Sequence, residues 1–260
     1  MYPRGTKLAL ASLLVAALGY VGQARTAGGA SGEALVAVAT NFSEVAEQLE
    51  REFERDTAHR VTLVAGSSGK LYAQIIQGAP FDVLLSADQE RPFRLVRQGF
   101  AQQTSLFTYA VGQLVLWSAN PDLIGRDGRN ALHNGRFRRL ALANPDLAPY
   151  GRAAVQALRS FGLDQLLQQK AVYGENVGQT HAMIATQNSE IGFVALSYVV
   201  SPRNTNRGSY WLVPQDCYAP IRQDAVLLDP HKESAVAFID YLRGEKAAEV
   251  IRAHGYLRNE

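Results

Sequence analysis

Neutral hydrogen-bond donors set where apolar strands meet amphipathic helices are the chemistry-bearing residues of this 260-residue chain. Val61, Leu63 and Val64 suit a buried strand, and in Val64-Ala-Gly-Ser-Ser-Gly-Lys-Leu71 small residues expose backbone N–H groups and two hydroxyls at such a junction. Leu71, Ile75 and Ile76 then recur at helical spacing, and Gly78 with Pro80 closes the segment. Ser67 or Ser68 is the natural N-cap. The first N–H groups of a helix lack partners within it and lie at the positive end of its dipole, so an oxyanion placed there gains hydrogen bonds and favourable electrostatics together. An ordinary Ser-capped helix, with nothing bound, is the alternative.

A second junction precedes it. Leu35-Val-Ala-Val-Ala39 is a continuous apolar strand, and Thr40 and Asn41 open a helix whose apolar face runs through Phe42, Val45, Ala46, Leu49 and Phe53. With Glu44 three residues on, Asn41 also fits a capping box that needs no ligand. A third strand, Phe81-Asp-Val-Leu-Leu85, follows the second helix. Strands alternating with helices imply a parallel sheet. Two loops beside a topological switch point would bring Thr40, Asn41, Ser67 and Ser68 to one crevice. All four donate hydrogen bonds without formal charge.

The pattern repeats further on. Leu106 to Trp117 reads as a long strand carrying the chain to another lobe, and Pro121 to Arg139 as surface loop with a short helix. Leu140-Ala-Leu-Ala143 resumes the strands, and a Pro-rich turn leads into a helix with Tyr150 at its start, available to donate to a ligand or to pack. Ala171-Val-Tyr173, the junction Gly174-Glu-Asn-Val-Gly178, a helix carrying Met183 and Ile184, and Ile191-Gly-Phe-Val-Ala195 complete the second set. Tyr218 to Leu228 crosses back, and Lys232 to Leu242 and Ala247 to His254 form terminal helices on the first lobe. The fold class expected is therefore α/β with two lobes joined by crossing strands: residues 33–110 and 223–260 in lobe 1, residues 111–222 in lobe 2, and a cleft that closes by domain motion.

Composition narrows the function. With 47% hydrophobic residues the chain has ample material for two cores. Arg4 and Lys7 before the apolar run Leu8 to Val21, followed by small residues, read as a signal peptide over residues 1–24; the run is shorter than a spanning helix needs. The Cys needed for a lipoprotein anchor is missing from the cleavage region. Cleavage after Ala24 would remove two of the 26 basic residues and none of the 24 acidic ones, leaving 24 against 24. That balance predicts no nucleic-acid partner. Cys217 is the sole cysteine and is expected to be buried and structural. Trp117 and Trp211 are expected in a core or at the hinge, and Lys70 to face solvent or attract an anion at long range.

The stretches Ala39-Thr-Asn-Phe42, Gly66-Ser-Ser-Gly69, Gly78 to Asp88, Asn144 to Gly151 and Glu175-Asn-Val177 follow one another in a way that resembles the periplasmic molybdate-binding proteins of ABC importers. The resemblance covers nearly all the mature chain. It implies the two-lobed type II periplasmic-binding-protein fold, a periplasmic location, molybdate and tungstate as ligands, no cofactor, an ABC permease as partner, and a monomer. It places Asn41, with Thr40, and Ser68 on one side of the anion, with Tyr150 and the Val177 N–H facing them. Ala195 stands where some members of that family carry a Tyr, and Tyr150 resembles the substitute used by another branch.

Molybdate and tungstate near neutral pH are unprotonated dianions that only accept hydrogen bonds, whereas phosphate keeps protons and favours an acceptor carboxylate. Asp146 and Glu175 are the acids nearest in sequence to the predicted loops. A binding protein for another oxyanion, such as sulfate or a phosphonate, and a sensor domain are the competing readings. An enzyme is disfavoured: Gly66-Ser-Ser-Gly-Lys70 fits neither G-x-x-x-x-G-K-[ST] nor G-x-S-x-G, and the five histidines form no ligand-spaced pair. His181 lies nearest a predicted site loop.

Overall fold

The computed structural model describes residues 32–258, so the predicted signal segment lies outside the described residues. In chain order the regular elements are β1 Glu33–Ala39, α1 Ser43–Asp56, β2 Arg60–Gly66, α2 Ser68–Ile76, β3 Val83–Leu85, α3 Glu90–Arg97, β4 Phe107–Gly112, β5 Leu114–Ser118, α4 Gly128–Asn134 and β6 Leu140–Ala143. There follow α5 Pro149–Ser160, α6 Leu166–Gln169, β7 Ala171–Gly174, α7 Val177–Ala185, β8 Ile191–Ala195, α8 Leu196–Val200, β9 Ser209–Leu212, β10 Ile221–Leu227, α9 Glu233–Arg243 and α10 Glu245–Ala253.

Two five-stranded sheets organise these elements, ordered β2-β1-β3-β10-β4 and β7-β6-β8-β5-β9. Each has a parallel centre: β1 lies parallel to β2 and β3, and β6 parallel to β7 and β8. Each also gains antiparallel strands, β10 against β3 and β4 in one and β5 against β8 and β9 in the other. Both sheets are therefore mixed. Helices cover the faces, so β6 is buried along its whole length and β1 along most of it, and both read as continuous apolar runs.

The long strand read over Leu106 to Trp117 is two. β4 completes the first sheet at Gly112, Gln113 turns the chain, and β5 begins the second sheet one residue later. β10 brings the chain back beside β4, so these two antiparallel strands form the first lobe's side of the crossing. Val64, expected in a buried strand, is 36% exposed because β2 is an edge strand with one side open. Phe42, Phe53, Phe238 and Leu49 fill the core between β1, α1 and the terminal helices. Trp117 lies fully buried in the second lobe's core, with Trp211 packed against that core. Among the described residues no helix is long and apolar enough to cross a membrane.

Candidate functional site

Four helix beginnings meet where the two lobes touch. The short 3-10 turn Thr40–Phe42 and the start of α2 come from the first lobe; the starts of α5 and α7 come from the second. They line a narrow, partly open cavity of about 10 Å³. All six residues singled out in the sequence line it: Thr40, Asn41, Ser67, Ser68, Tyr150 and Val177. The lining that sequence reasoning missed is Ala39, Gly66, Ala87, Ala148, Pro149 and Asn176. These small residues carry no side-chain signal of their own, and Asn176 reads as a cap. No carboxylate and no cationic side chain is among the twelve.

The hydroxyls are already oriented. Ser67 caps α2, its Oγ accepting from the Lys70 N–H at 3.3 Å. Ser68 Oγ accepts from the Ala87 N–H at 2.9 Å. A protein N–H takes one of the two lone pairs of each, and the hydroxyl hydrogen stays free to be donated. The amide of Val177 stands at the first position of α7, where it has no acceptor within the helix. Asn176 caps that helix, its Oδ1 accepting from Gln179 N at 2.9 Å. Burial pushes the Tyr150 phenol well above its ordinary value, so it keeps its proton.

Asn41 departs from the expected capping box. The N-cap of α1 is Phe42, with no side-chain cap bond, and Glu44 instead accepts from Ser201 Oγ at 2.6 Å. Asn41 Nδ2 donates to Gln223 Oε1 at 2.8 Å and to the Tyr256 hydroxyl at 3.0 Å. Both of its side-chain hydrogens are thus spent within the fold, and the donor that remains for the cavity is its backbone N–H near the head of the 3-10 turn. The signal was absent from local sequence, since Gln223 and Tyr256 lie 182 and 215 residues away.

The two acids near the predicted loops point elsewhere. Glu175 pairs with Lys70 at 2.8 Å, an ion pair between lobes; Lys70 faces solvent as expected, and Glu175 neutralises the charge that could have attracted an anion. Both side chains are about half exposed, so the pair contributes little stability. Asp146 offers only its backbone oxygen, which accepts from Arg91 Nη2 at 3.0 Å. Further bonds between the lobes surround the cavity: Gly69 N–H to Leu147 O at 2.9 Å, Tyr198 hydroxyl to Thr40 O at 2.6 Å, and Ser197 Oγ to Asn41 O at 2.9 Å. Gly69 permits the first of these, because a Cβ there would press on Leu147 backbone at 3.0 Å. Cys217, expected buried, is half-buried on a 3-10 turn with its Sγ beside Asp216.

His181 lies outside the cavity lining, its ring stacked between Trp117 and Tyr198 at 4.7 and 4.8 Å. Its Nε2 is buried without a partner, and burial holds the imidazole below its ordinary value of 6.5. The unfolded chain therefore binds this proton more readily than the folded one. Stability from this group is complete above about pH 6.5 and is lost as pH falls through the lower folded value. We expect His181→Phe to flatten the decline in urea midpoint between neutral and mildly acidic pH. An unchanged slope would assign the decline to other groups.

A cleft of neutral donors between two α/β lobes is the architecture of a solute receptor, and the comparisons agree with it. The sequence profile described as bacterial extracellular solute-binding protein matches residues 34–257. The chain is similar to the molybdate-binding protein ModA of Azotobacter vinelandii, 47% identical over 226 residues that span 86% of this chain and 89% of that one. It is 45% identical to the protein of the same name from Rhodobacter capsulatus over 230 residues, 88% of this chain and 89% of the relative. The solved structure titled Azotobacter vinelandii periplasmic molybdate-binding protein superposes with a TM-score of 0.83 and 42% identity, covering 87% of this chain and 100% of that one. With the profile spanning both lobes and such relatives aligned along nearly their full length, this chain belongs to the bacterial extracellular solute-binding protein family.

Proposed function

We propose that this protein captures molybdate, and tungstate with it, in the periplasm and delivers the anion to the membrane subunits of an ABC importer. Thr40, Asn41, Ser67 and Ser68 bind from the first lobe; Tyr150 and the Val177 N–H bind from the second. The observation that carries this reading is a small cavity lined only by neutral groups, whose two serine oxygens each already accept from a protein N–H. Such a lining offers hydrogens and no carboxylate, which suits an unprotonated tetrahedral dianion. The names of the relatives support the choice of molybdate among such ions. The mature chain acts as a monomer after its leader is cleaved, without inserting in the membrane and without a cofactor; molybdenum is cargo, bound as the oxyanion.

About five hydrogen bonds to a charged ligand, each contributing about 1.5 to 3 kcal/mol, exceed the several kcal/mol lost on association and leave micromolar affinity or tighter. Equilibrium dialysis of the mature protein against micromolar molybdate, followed by elemental analysis, should return one molybdenum per chain. Metal at the buffer level would withdraw the ligand.

A further inference from the structure

Behind the cavity lies a fully buried side chain with no counterpart in the lining, Gln223 on β10. Its Oε1 accepts from Asn41 Nδ2 at 2.8 Å and from the Tyr109 hydroxyl at 3.2 Å, and its Nε2 donates to the Tyr150 hydroxyl at 3.3 Å. It therefore links an anion-facing residue of one lobe to an anion-facing residue of the other.

The Tyr109 hydroxyl is shared, reaching the Ser86 carbonyl oxygen at 3.1 Å as well as Gln223, so the direction of the chain is set from its Tyr256 end. The Tyr256 hydroxyl sits 2.6 Å from the Asn41 carbonyl oxygen, which only accepts, so the single hydroxyl hydrogen lies there. Tyr256 must then accept from the Asn41 side chain at 3.0 Å, which fixes the nitrogen of that amide on this side. The same nitrogen faces Gln223 and requires an oxygen opposite it. Gln223 is thereby oriented with its NH2 toward Tyr150, whose oxygen accepts. The phenolic hydrogen of Tyr150 is left without a protein acceptor, on a residue that lines the cavity. Gly112 closes the arrangement: a Cβ there would lie 2.1 Å from the Tyr150 hydroxyl oxygen and 2.6 Å from Gln223 Nε2. Its backbone takes no unusual conformation, so the glycine supplies room.

We propose that Gln223 is a positioning residue that makes the pocket selective for a fully deprotonated oxyanion, by holding the Tyr150 hydroxyl as a donor against the bare backbone of Gly112. Because Gly112 and Gln223 stand on the two strands that join the lobes, this contact forms only when Tyr150 is brought onto the first lobe. The inference rests on the oxyanion reading above.

Gln223→Glu reverses the polarity. A glutamate oxygen accepts the Tyr150 hydrogen and turns the phenol lone pair toward the ligand, which suits an anion that keeps a proton. Titrating wild type and Gln223→Glu with molybdate and with phosphate, after melting curves establish folding, should show molybdate weakened by roughly tenfold or more, on the scale of one hydrogen bond to a charged group. The ratio of phosphate to molybdate affinity should rise at least as much. Equal weakening of both anions, or no change, overturns the proposal. Gly112→Ala keeps Gln223 and displaces the phenol, so it also covers the case in which the buried glutamate prevents folding. Its cost should match that of Tyr150→Phe and add nothing in the Tyr150→Phe background; additive costs overturn the proposal. Failure of wild type to bind molybdate is a separate result that removes the ligand itself.

Discussion

Asp88→Ala is expected to lower folding stability by about 3 kcal/mol or more, the largest single-site loss in this protein outside the apolar cores. Asp88 is 7% exposed at the foot of α3, and its carboxylate collects the Ser86 hydroxyl at 3.1 Å, the Arg91 N–H at 3.1 Å, the Arg91 guanidinium, and Arg152 Nη2 at 2.7 Å. Arg91 is as deeply buried and would keep only the Asp146 backbone oxygen as a partner. The cost arises from leaving a guanidinium buried without its counter-charge, rather than from losing the attraction as such. Urea denaturation of the variant measures it. Asp88→Leu combined with Arg91→Met should recover part of the loss, because removing both charges removes the orphan. A loss under about 1 kcal/mol would mean that water reaches Arg91 in the variant. Since Arg152 stands on α5, the same substitution also cuts a tie between the lobes.

The largest loss of affinity is expected from Ser68→Ala combined with Tyr150→Phe, which removes one donor from each side of the cavity. Each bond to a charged ligand contributes about 1.5 to 3 kcal/mol, so the pair should weaken molybdate by roughly a hundredfold to ten-thousandfold. Ser68→Ala alone should cost tenfold or more. It also strips the Ala87 N–H of its acceptor, so the ligand-free variant should melt slightly lower, and melting curves separate that cost from the loss of binding. Phenylalanine at 150 leaves Gln223 Nε2 without its acceptor but keeps the packing of the ring. Calorimetry that finds the double variant within threefold of wild type would remove both hydroxyls from the site.

What was legible in the sequence is what local pattern encodes. The apolar runs Leu35 to Ala39 and Leu140 to Ala143, each followed by a small-residue junction and an amphipathic helix, marked the centres of both sheets and the loops that meet at the cavity. Ser67 as the cap of α2 follows from the same signal. Pairings across long separations leave no such trace. Asn41 reads as a helix cap because an Asn before an amphipathic helix usually is one, yet its amide is claimed by Gln223 on β10 and by Tyr256 beyond α10. Lys70 is the solvent-facing lysine its pattern suggests, but nothing local announces that the other lobe brings Glu175 to it. Gln223 sits in an ordinary strand pattern, and Asp88 in a motif whose ionic partners come from two lobes. Val64 is exposed for a related reason: apolar character marks a strand but not whether that strand lies at the centre or the edge of a sheet.

The most direct test of the account is calorimetric titration of the mature, dialysed protein with molybdate, tungstate, sulfate and phosphate in one buffer near neutral pH. Molybdate and tungstate should bind at a single site with micromolar affinity or tighter, and phosphate far more weakly because its proton meets no carboxylate in the cavity. Phosphate binding as tight as molybdate, or silence toward all four anions, would contradict it.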